Sequence, residues 1–312
     1  MSAVSSAIRS ELPVNRPVRR IHWGQVPAWT IMGILIVITL FPLWWVLRTA
    51  LTSPKSVFDG LNSLLPVQPT TDNFARVIGL LDPAQLIAAG ATNVSPGTIN
   101  FLPFVLHSVI FSTIGTAGQI FFSALSAYAF ARLRFPGRNL IFFIFLTGLM
   151  VPGIVLLIPN YVLIRQLGWI NTFQGMIAPT FLMTPFAVFF IRQFFLSLNK
   201  DLEEAGRLDG ASVFGIFWRI ALPLSVGPLL TIGLLTFINS WNDYLWPLLV
   251  GQNENVRVLT VALGIFRSQT PQGAPDWTGL MAGALISAVP VLLLFVFFGR
   301  KIVDSIQFSG GK

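Results

Sequence analysis

The sequence contains no cysteine and only two histidines, His22 and His107. The absence of cysteine excludes disulfide bonds, thiolate nucleophiles and cysteine-based metal sites. The two histidines are far apart along the chain, so they do not form the closely spaced pair of ligands that is typical of a histidine metal site. We therefore expect no metal site and no cofactor in this chain.

Charged residues are also scarce. They make up 10% of the 312 residues, whereas about 25% is usual in globular proteins. Hydrophobic residues make up 54% and include 28 Phe and 9 Trp. Because so few charges cannot cover the surface of a soluble fold of this size, the composition excludes a cytosolic enzyme, a secreted disulfide scaffold and a disordered chain. It predicts a polytopic membrane protein.

The net charge of +8 does not indicate a nucleic-acid partner, because the 20 Lys and Arg residues form no dense patch. Their distribution instead indicates an orientation in the membrane. Fourteen fall on the side that holds both termini and the 192–219 loop, and six fall on the other side. Since basic residues concentrate in cytoplasmic loops, both termini and this loop are predicted to be cytoplasmic.

Six charge-free apolar runs are each long enough to cross a bilayer core of about 30 Å, which needs about 20 helical residues. They predict an all-α fold with six transmembrane helices. Five of the runs contain prolines, which a membrane helix tolerates where protein or a wet cavity satisfies the freed backbone groups, although simple kinking is the alternative at any one proline. The runs are Trp29–Leu47, Val105–Phe130, Leu140–Ile164, Phe173–Ile191, Ile220–Asn242 and Gly279–Phe298.

These runs divide the chain into a membrane domain at 28–300 and two cytoplasmic tails, at 1–27 and 301–312. The outer loop at 52–100 contains several prolines, yet parts of it are too apolar for a simple linker. We expect short surface helices there that cap the bundle.

The cytoplasmic loop at 196–223 has strong local signals for two short helices. Asn199 is a suitable N-cap for the first helix, and Gly210 can end it because glycine tolerates positive φ. Asp209 is an alternative N-cap for the helix that follows. Pro223 suits the first turn of the fifth span. We therefore predict a compact helix-turn-helix at the cytoplasmic face.

This loop resembles the EAA motif of ABC-importer permeases. Glu204–Gly206 is followed after three residues by Gly210, and nine residues later by Ile220–Pro223, with Gly206 in place of the usual second Ala. The stretch Glu204–Ser212 is similar to the carbohydrate-uptake branch. The resemblance is to the smaller six-span subunit of a maltose-importer-type permease pair. Further similar stretches are Pro69–Phe74, Ala127–Arg132, Met150–Pro152, Ile158–Pro159 and Trp241–Tyr244, while His107–Ser108 and Asn199–Lys200 depart from the usual pattern.

The resemblance implies the type I ABC-importer permease fold, with Glu204–Gly210 as a coupling helix that docks into a cleft of a separate ATPase. Glu204 would make polar contacts, Ala205 and Gly206 would allow close approach, and Gly210 would permit the tight turn, with Asp209 also counted among the coupling residues. The alternative is an ordinary charged loop. The tail at 304–312 also resembles family tails that reach the ATPase.

The same resemblance implies a set of partners in a bacterial or archaeal cell membrane. They are a second permease that forms a heterodimer with this chain, an ATPase dimer and an extracytoplasmic solute-binding protein, with lipid around the spans. The sequence contains no G-x-x-x-x-G-K-[ST] motif. We therefore expect ATP and Mg²⁺ to be bound by the ATPase and this chain not to be an enzyme.

Polar residues near the end of the fifth span are candidates for the solute pathway. Asn239, Asn242, Asp243 and Tyr244 interrupt an apolar run, and polar groups are costly against lipid, so we expect them to face the bundle interior. The alternative is an aromatic belt with Asp243 at the outer interface. His107 and the second-span residue Gln119 are expected to form hydrogen bonds between helices.

The predicted function is that of a permease subunit in an ABC importer for a sugar or polyol. Uptake of a non-sugar solute, such as a glycerophospho-compound, is the alternative within this class. A membrane-embedded enzyme would need a nucleophile and base or a metal site within the spans, for which only Asp243 and His107 qualify. A proton-coupled transporter would need several acids or bases at the midplane.

Overall fold

The structure is a computed structural model that describes residues 26–59, 62–91, 94–95, 100–268 and 275–307, with side chains described as far as residue 299. The described residues are helical throughout their regular structure and include no strand, which confirms the all-α fold class. Most of the N-terminal tail and the last five residues of the C-terminal tail lie outside the described residues.

Fifteen α-helices occur in the part of the chain that is described. In chain order they are α1 Val26–Ala50, α2 Asp72–Val77, α3 Pro83–Ala88, α4 Leu102–Arg132, α5 Arg138–Thr147, α6 Gly153–Gln166, α7 Phe173–Phe181, α8 Pro185–Ser197, α9 Lys200–Leu208, α10 Val213–Ile216, α11 Leu222–Leu224, α12 Val226–Trp241, α13 Leu245–Val250, α14 Leu259–Ser268 and α15 Trp277–Gln307.

Three helices are long and apolar enough to cross a bilayer unbroken: α1, α4 and the Trp277–Gly299 part of α15. Three predicted spans are broken instead. The pair formed by α5 and α6 bends by 97°, that of α7 and α8 by 47°, and the segment Val213–Leu224 meets α12 at 77°. Counted with each bent pair as one span, the described residues hold the six spans predicted from the sequence.

The breaks have local causes in two of the three pairs. Pro152 is the N-cap of α6 and Pro185 is the first residue of α8, positions at which a missing N–H costs no helical hydrogen bond. The third break is at Ser225, whose hydroxyl donates to the Ala221 carbonyl at 2.7 Å. Pro159 lies inside α6, so not every proline in a span marks a break.

The chain divides into two units at Trp45. Within the first unit, the described part of α1 exposes apolar side chains such as Val37 and Ile38, as a lipid-facing span does. The second unit is built around α4, against which α7, α8 and α12 pack. Close packing depends on small residues of α4, as is usual in membrane bundles: a Cβ on Gly118 would lie 2.3 Å from the Phe181 ring.

The 52–100 loop contains short helices, as predicted. Helix α2 packs against α15, and the Asn73 amide donates to the carbonyls of Ala50 and Thr52 at 2.8 Å each. Arg76 forms a buried bidentate ion pair with Asp276, directly before α15. These contacts fix the loop over the end of the bundle at which α15 begins.

Candidate functional site

The predicted coupling segment forms one short helix, α9. Asn199 is its N-cap, and the Asn199 side chain accepts a hydrogen bond from the Asp201 N–H at 3.0 Å. Asp201 and Glu203 lie in its first turn, where carboxylates interact favourably with the helix dipole. Gly210 adopts a φ of +81° directly after the helix end. The predicted limits of this helix are therefore confirmed.

The cap of the next helix differs from the alternative considered for Asp209. Asp209 is the C-terminal flanking residue of α9. The N-cap of α10 is Ser212, whose hydroxyl oxygen accepts a hydrogen bond from the Gly215 N–H at 3.1 Å. Asp209 as the N-cap is wrong because the αL residue Gly210 separates it from the start of α10.

The inner face of α9 is attached to α4 by a buried ion pair. The Nε atom of Arg132 lies 2.8 Å from Oε1 of Glu203, and the two side chains are 4% and 8% exposed. Arg132 also donates from Nη2 to the Leu198 carbonyl at 2.7 Å. The sequence does not identify this pair, because Glu203 is one of several acidic residues in the loop and nothing local singles out its partner.

Gly206 also faces the inside of the chain. A Cβ at this position would lie 2.9 Å from Cδ1 of Ile220, and Ile220 belongs to a single π-helical turn at Phe217–Ala221. The close approach that Gly206 permits in this structure is therefore between α9 and the segment that leads into α12. Ala205, in contrast, is exposed on the outward face of α9.

The outer face of α9 is available for a partner. Glu204, Ala205, Asp209 and Gly210 are exposed, and Leu208 is 89% exposed. A single exposed apolar side chain is common on protein surfaces, whereas several exposed apolar side chains in one region indicate an interaction site. Further exposed apolar side chains follow in the next helical segment, namely Val213, Phe214 and Trp218, and the rings of Phe214 and Trp218 stack with their centroids 6.1 Å apart.

The candidate solute residues occupy a different position from the one expected. Helix α12 begins at Val226, so Pro223 does not lie in its first turn and Asn239 is only about 20 Å from the helix start at 1.5 Å per residue. Asn239 and Asn242 are exposed on the surface of the chain. Within this single chain they do not pack into the bundle, because the buried face of α12 is formed by other residues, such as Trp241.

Asp243 and Tyr244 lie in the turn between α12 and α13. Tyr244 is exposed and Asp243 is partly buried. The Asp243 carboxylate accepts hydrogen bonds from the backbone N–H groups of Trp246, Leu245 and Tyr244. The Asp243 carbonyl accepts a hydrogen bond from the Thr260 hydroxyl at 2.7 Å. Asp243 therefore has structural contacts at the start of α13.

The two polar residues predicted to link helices differ in their contacts. Gln119 of α4 donates from Nε2 to the hydroxyls of Thr184 at 3.1 Å and Thr236 at 3.4 Å. It thereby connects α4 to the N-cap of α8 and to α12, which confirms the expected role. His107 lies 3.0 Å through Nδ1 from the carbonyl of Arg257, which belongs to a loop before α14 rather than to a helix.

The chain is similar in sequence to known membrane-transport proteins. The family described as "binding-protein-dependent transport system inner membrane component" matches residues 119–306. A probable ABC transporter permease protein, YurM of Bacillus subtilis, is 31% identical over 96% of this chain and 92% of its own length. The arabinooligosaccharides transport system permease protein AraQ of Halalkalibacterium halodurans is 34% identical over 82% of this chain and 91% of its own length.

A relative with a different solute is equally similar. The sn-glycerol-3-phosphate transport system permease protein UgpE of Yersinia pestis is 34% identical over 88% of this chain and 94% of its own length. Among solved structures, a bacterial ABC transporter involved in the import of the acidic polysaccharide alginate matches with a TM-score of 0.74 and 24% identity, over 89% of this chain and 95% of the matched chain. This likeness shows the fold.

Proposed function

Because this chain belongs to the family of binding-protein-dependent transport system inner membrane components, we propose that it forms half of the translocation pathway in an ATP-driven sugar importer. The observation that carries the proposal is the exposed outer face of α9, with Glu204 and Leu208, on a helix whose inner face is bound to α4. This arrangement is suited to a subunit that receives a movement from a partner and passes it to its own spans.

The outer face of α9 is the proposed docking surface for a separate ATPase. Glu204 supplies a charge for polar contacts, Ala205 permits close approach, and Asp209 and Gly210 form the turn at the end of the helix. Gly206 contributes from the inner face by bringing α9 close to Ile220. ATP and Mg²⁺ are bound by the ATPase, and this chain holds no cofactor.

The Arg132–Glu203 ion pair provides the proposed path for the movement. Because this pair is buried, α9 cannot move away from the end of α4 without leaving a charge unpaired. Helix α4 packs against α7, α8 and α12, and Gln119 adds hydrogen bonds to two of these neighbours. A rigid-body displacement of α9 is therefore transmitted to the centre of the bundle.

The remaining proposed partners are a second permease, which completes a heterodimer, an ATPase dimer and an extracytoplasmic solute-binding protein. The chain lies in the inner membrane of a bacterial or archaeal cell. The excess of Lys and Arg on one side supports cytoplasmic termini and a cytoplasmic 196–223 loop. The membrane domain at 28–300 and the tails at 1–27 and 301–312 are proposed with the same limits as before.

The proposed solute is a mono- or oligosaccharide or a related polyol, in line with the arabinooligosaccharide relative. A glycerophospho-compound is the second candidate, supported by the sn-glycerol-3-phosphate relative. Asn239, Asn242, Asp243 and Tyr244 are proposed to line the pathway. The exposure of three of them on a single chain supports this role, because a second permease packed beside α12 would enclose them. An aromatic belt at the outer interface is the alternative for these residues.

Purification and uptake test the proposal. The tagged chain is extracted in mild detergent and co-purifying chains are identified by mass spectrometry. A second permease and a nucleotide-binding ATPase are expected, and recovery of the chain alone with transport intact would contradict the proposal. Uptake of a labelled arabinooligosaccharide and of labelled sn-glycerol-3-phosphate is then compared in cells with and without the chain. Chain-dependent uptake of only the second compound would replace the sugar by the alternative.

A further inference from the structure

A cavity of about 630 Å³ lies beside the inner edge of α9, where α4 ends. Its walls come from the end of α4, the loop to α5, the end of α8 and one side of α9. The lining residues used below are Arg134, Arg138, Lys200 and Arg207, together with the Arg132–Glu203 pair. A smaller cavity of about 480 Å³ shares Arg134 and Arg138 with it.

The charge of this cavity is unbalanced. Five cationic side chains and two carboxylates line it, and one of the carboxylates, Glu203, is bound to Arg132. Among the described residues, Arg134, Lys200 and Arg207 have no carboxylate within ion-pair distance. Since like charges around one cavity repel each other, the site favours an anion with several acceptor oxygens, such as a phosphate group.

Two of the cations are held in place by the backbone. Arg132 donates to the Leu198 carbonyl at 2.7 Å, and Arg138 donates from Nη1 to the Leu133 carbonyl at 3.0 Å. Little side-chain entropy is therefore lost by these two groups when a ligand binds. These two side chains form the fixed part of the cavity, and the exposed side chains of Arg134, Lys200 and Arg207 surround it.

The position of the cavity favours a lipid over a soluble anion. It lies where the apolar helices α4 and α8 end and α5 begins, and Ala131, Leu133 and Leu196 contribute apolar side chains to its wall. A basic pocket between helices at the membrane surface is the usual form of an anionic headgroup site. A phosphodiester can contact the cations while its acyl chains lie along the adjacent apolar helices.

The cavity and the docking surface use different sides of α9. Lys200, Glu203, Glu204 and Arg207 follow the spacing of one helix face and line the cavity. Ala205 and Leu208 do not line it. Glu204 stands at the boundary between the two surfaces. A headgroup in the cavity would therefore lie directly behind the helix on which the proposed ATPase docks, without covering Leu208.

We propose that this cavity binds the phosphate headgroup of an anionic phospholipid, of which phosphatidylglycerol is the probe used below. This site is independent of which solute the chain transports. It holds the loop between α4 and α5 and the inner edge of α9 together through a lipid. If the lipid proposal fails, the assignment of the chain as an importer subunit is unaffected.

The proposal is tested by identifying the lipid that stays bound to the purified chain. The full chain is reconstituted in nanodiscs with equal amounts of phosphatidylglycerol and phosphatidylcholine, then extracted in mild detergent, and the bound lipid is identified by mass spectrometry. The native chain is expected to retain phosphatidylglycerol above its bulk share. Arg134→Gln and Arg207→Gln are expected to lose this enrichment and return to the bulk ratio.

The matched control is Arg219→Gln, which removes one exposed arginine near the coupling helix but outside this cavity. It is expected to retain the native enrichment. Each variant is first shown to be folded by its elution and thermal unfolding. Equal enrichment in all three variants, or equal loss in all three, would overturn the site, because either result indicates a general effect of charge.

Two further outcomes separate the lipid from other anions. If the native chain shows no enrichment, but phosphatidylcholine nanodiscs containing it bind labelled inorganic phosphate in a manner that Arg134→Gln abolishes, the ligand is a soluble anion and the lipid proposal fails. If enrichment is absent and Arg134→Gln instead prevents co-purification of an ATPase, the cavity belongs to a protein interface and the proposal fails as well.

Discussion

The guanidinium of Arg132, the last residue of α4, lies 2.8 Å from the carboxylate of Glu203 in α9. The pair joins the central helix of the bundle to the short helix that carries the coupling motif. Both side chains are almost fully buried, so each charge depends on the other for compensation. This ion pair is a direct side-chain connection between the proposed docking surface and the central membrane helix.

Glu203→Gln should disrupt this connection. The substitution leaves Arg132 buried without a carboxylate, and such a loss costs about 3–5 kcal/mol. We expect a lower melting temperature in detergent and strongly reduced uptake. The control is Glu254→Gln, which removes an 82%-exposed carboxylate 3.7 Å from Arg257 and should change stability by at most about 1 kcal/mol. A Glu203→Gln chain with native stability would disprove the structural role of the pair.

Glu204→Lys should abolish transport while the chain remains inserted and folded. Glu204 is exposed, so reversal of its charge has little effect on the fold but opposes the polar contacts proposed for it on the ATPase. The measurements are uptake, membrane content of the chain and co-purification of the ATPase. Normal uptake by this variant would remove the coupling assignment.

Leu208→Gln should weaken ATPase association with no loss of stability. The side chain is 89% exposed, so the folded chain gains almost nothing from it, whereas an apolar contact with a partner would be lost. Co-purification of the ATPase and thermal unfolding are measured side by side. Undiminished association would show that Leu208 is not part of the docking surface.

Gly206→Ala should be tolerated and Gly206→Leu should not. An alanine Cβ would lie too close to the terminal Cδ1 atom of Ile220, at 2.9 Å, and at ordinary contact distance from Ile216, and the Cδ1 atom can move by side-chain rotation. A leucine would overfill the space between α9 and the π-helical turn, at a cost of about 1–3 kcal/mol. Melting temperatures and uptake of both variants are compared, and equal values for Ala and Leu would contradict the inward placement of Gly206.

Arg76→Gln should destabilise the opposite end of the bundle. Arg76 binds both carboxylate oxygens of Asp276 in a buried site, and the same carboxylate accepts hydrogen bonds from the N–H groups of Ser95 and Gly279. Loss of the cation should cost about 3–5 kcal/mol, measured by thermal unfolding. Asp72→Asn, an exposed substitution on the same helix, should leave the melting temperature nearly unchanged. Equal shifts in the two variants would contradict the importance of the buried pair.

Local features of the loop at 196–223 were predictable because their causes are local. Asn199 caps α9 through the N–H of Asp201, two residues away, and Gly210 takes the positive φ that only glycine adopts easily. The N-cap of α10 was predicted wrongly as Asp209, although the actual cap, Ser212, is an equally good N-cap residue type. The position of the αL glycine between them decided in favour of Ser212.

The exposure of the candidate pathway residues was not predictable from their sequence. Polar residues in an apolar run indicate that they avoid lipid, but this argument does not distinguish the interior of one chain from a surface that a second chain covers. Because the chain bends by 77° at Ser225, α12 starts later and runs in a different direction than a single unbroken span from Ile220 would. Both the depth of Asn239 and the side to which it points depend on that break.

The sequence by itself determined the class of the protein, its six apolar spans and the caps of the coupling helix, because hydropathy and capping act over a few residues to one helix length. Only the tertiary structure decided which acidic residue of α9 binds Arg132, that Gly206 faces Ile220, and that Arg76 pairs with Asp276. These contacts join residues far apart in the chain, and packing around α4 selects them from many chemically equivalent partners.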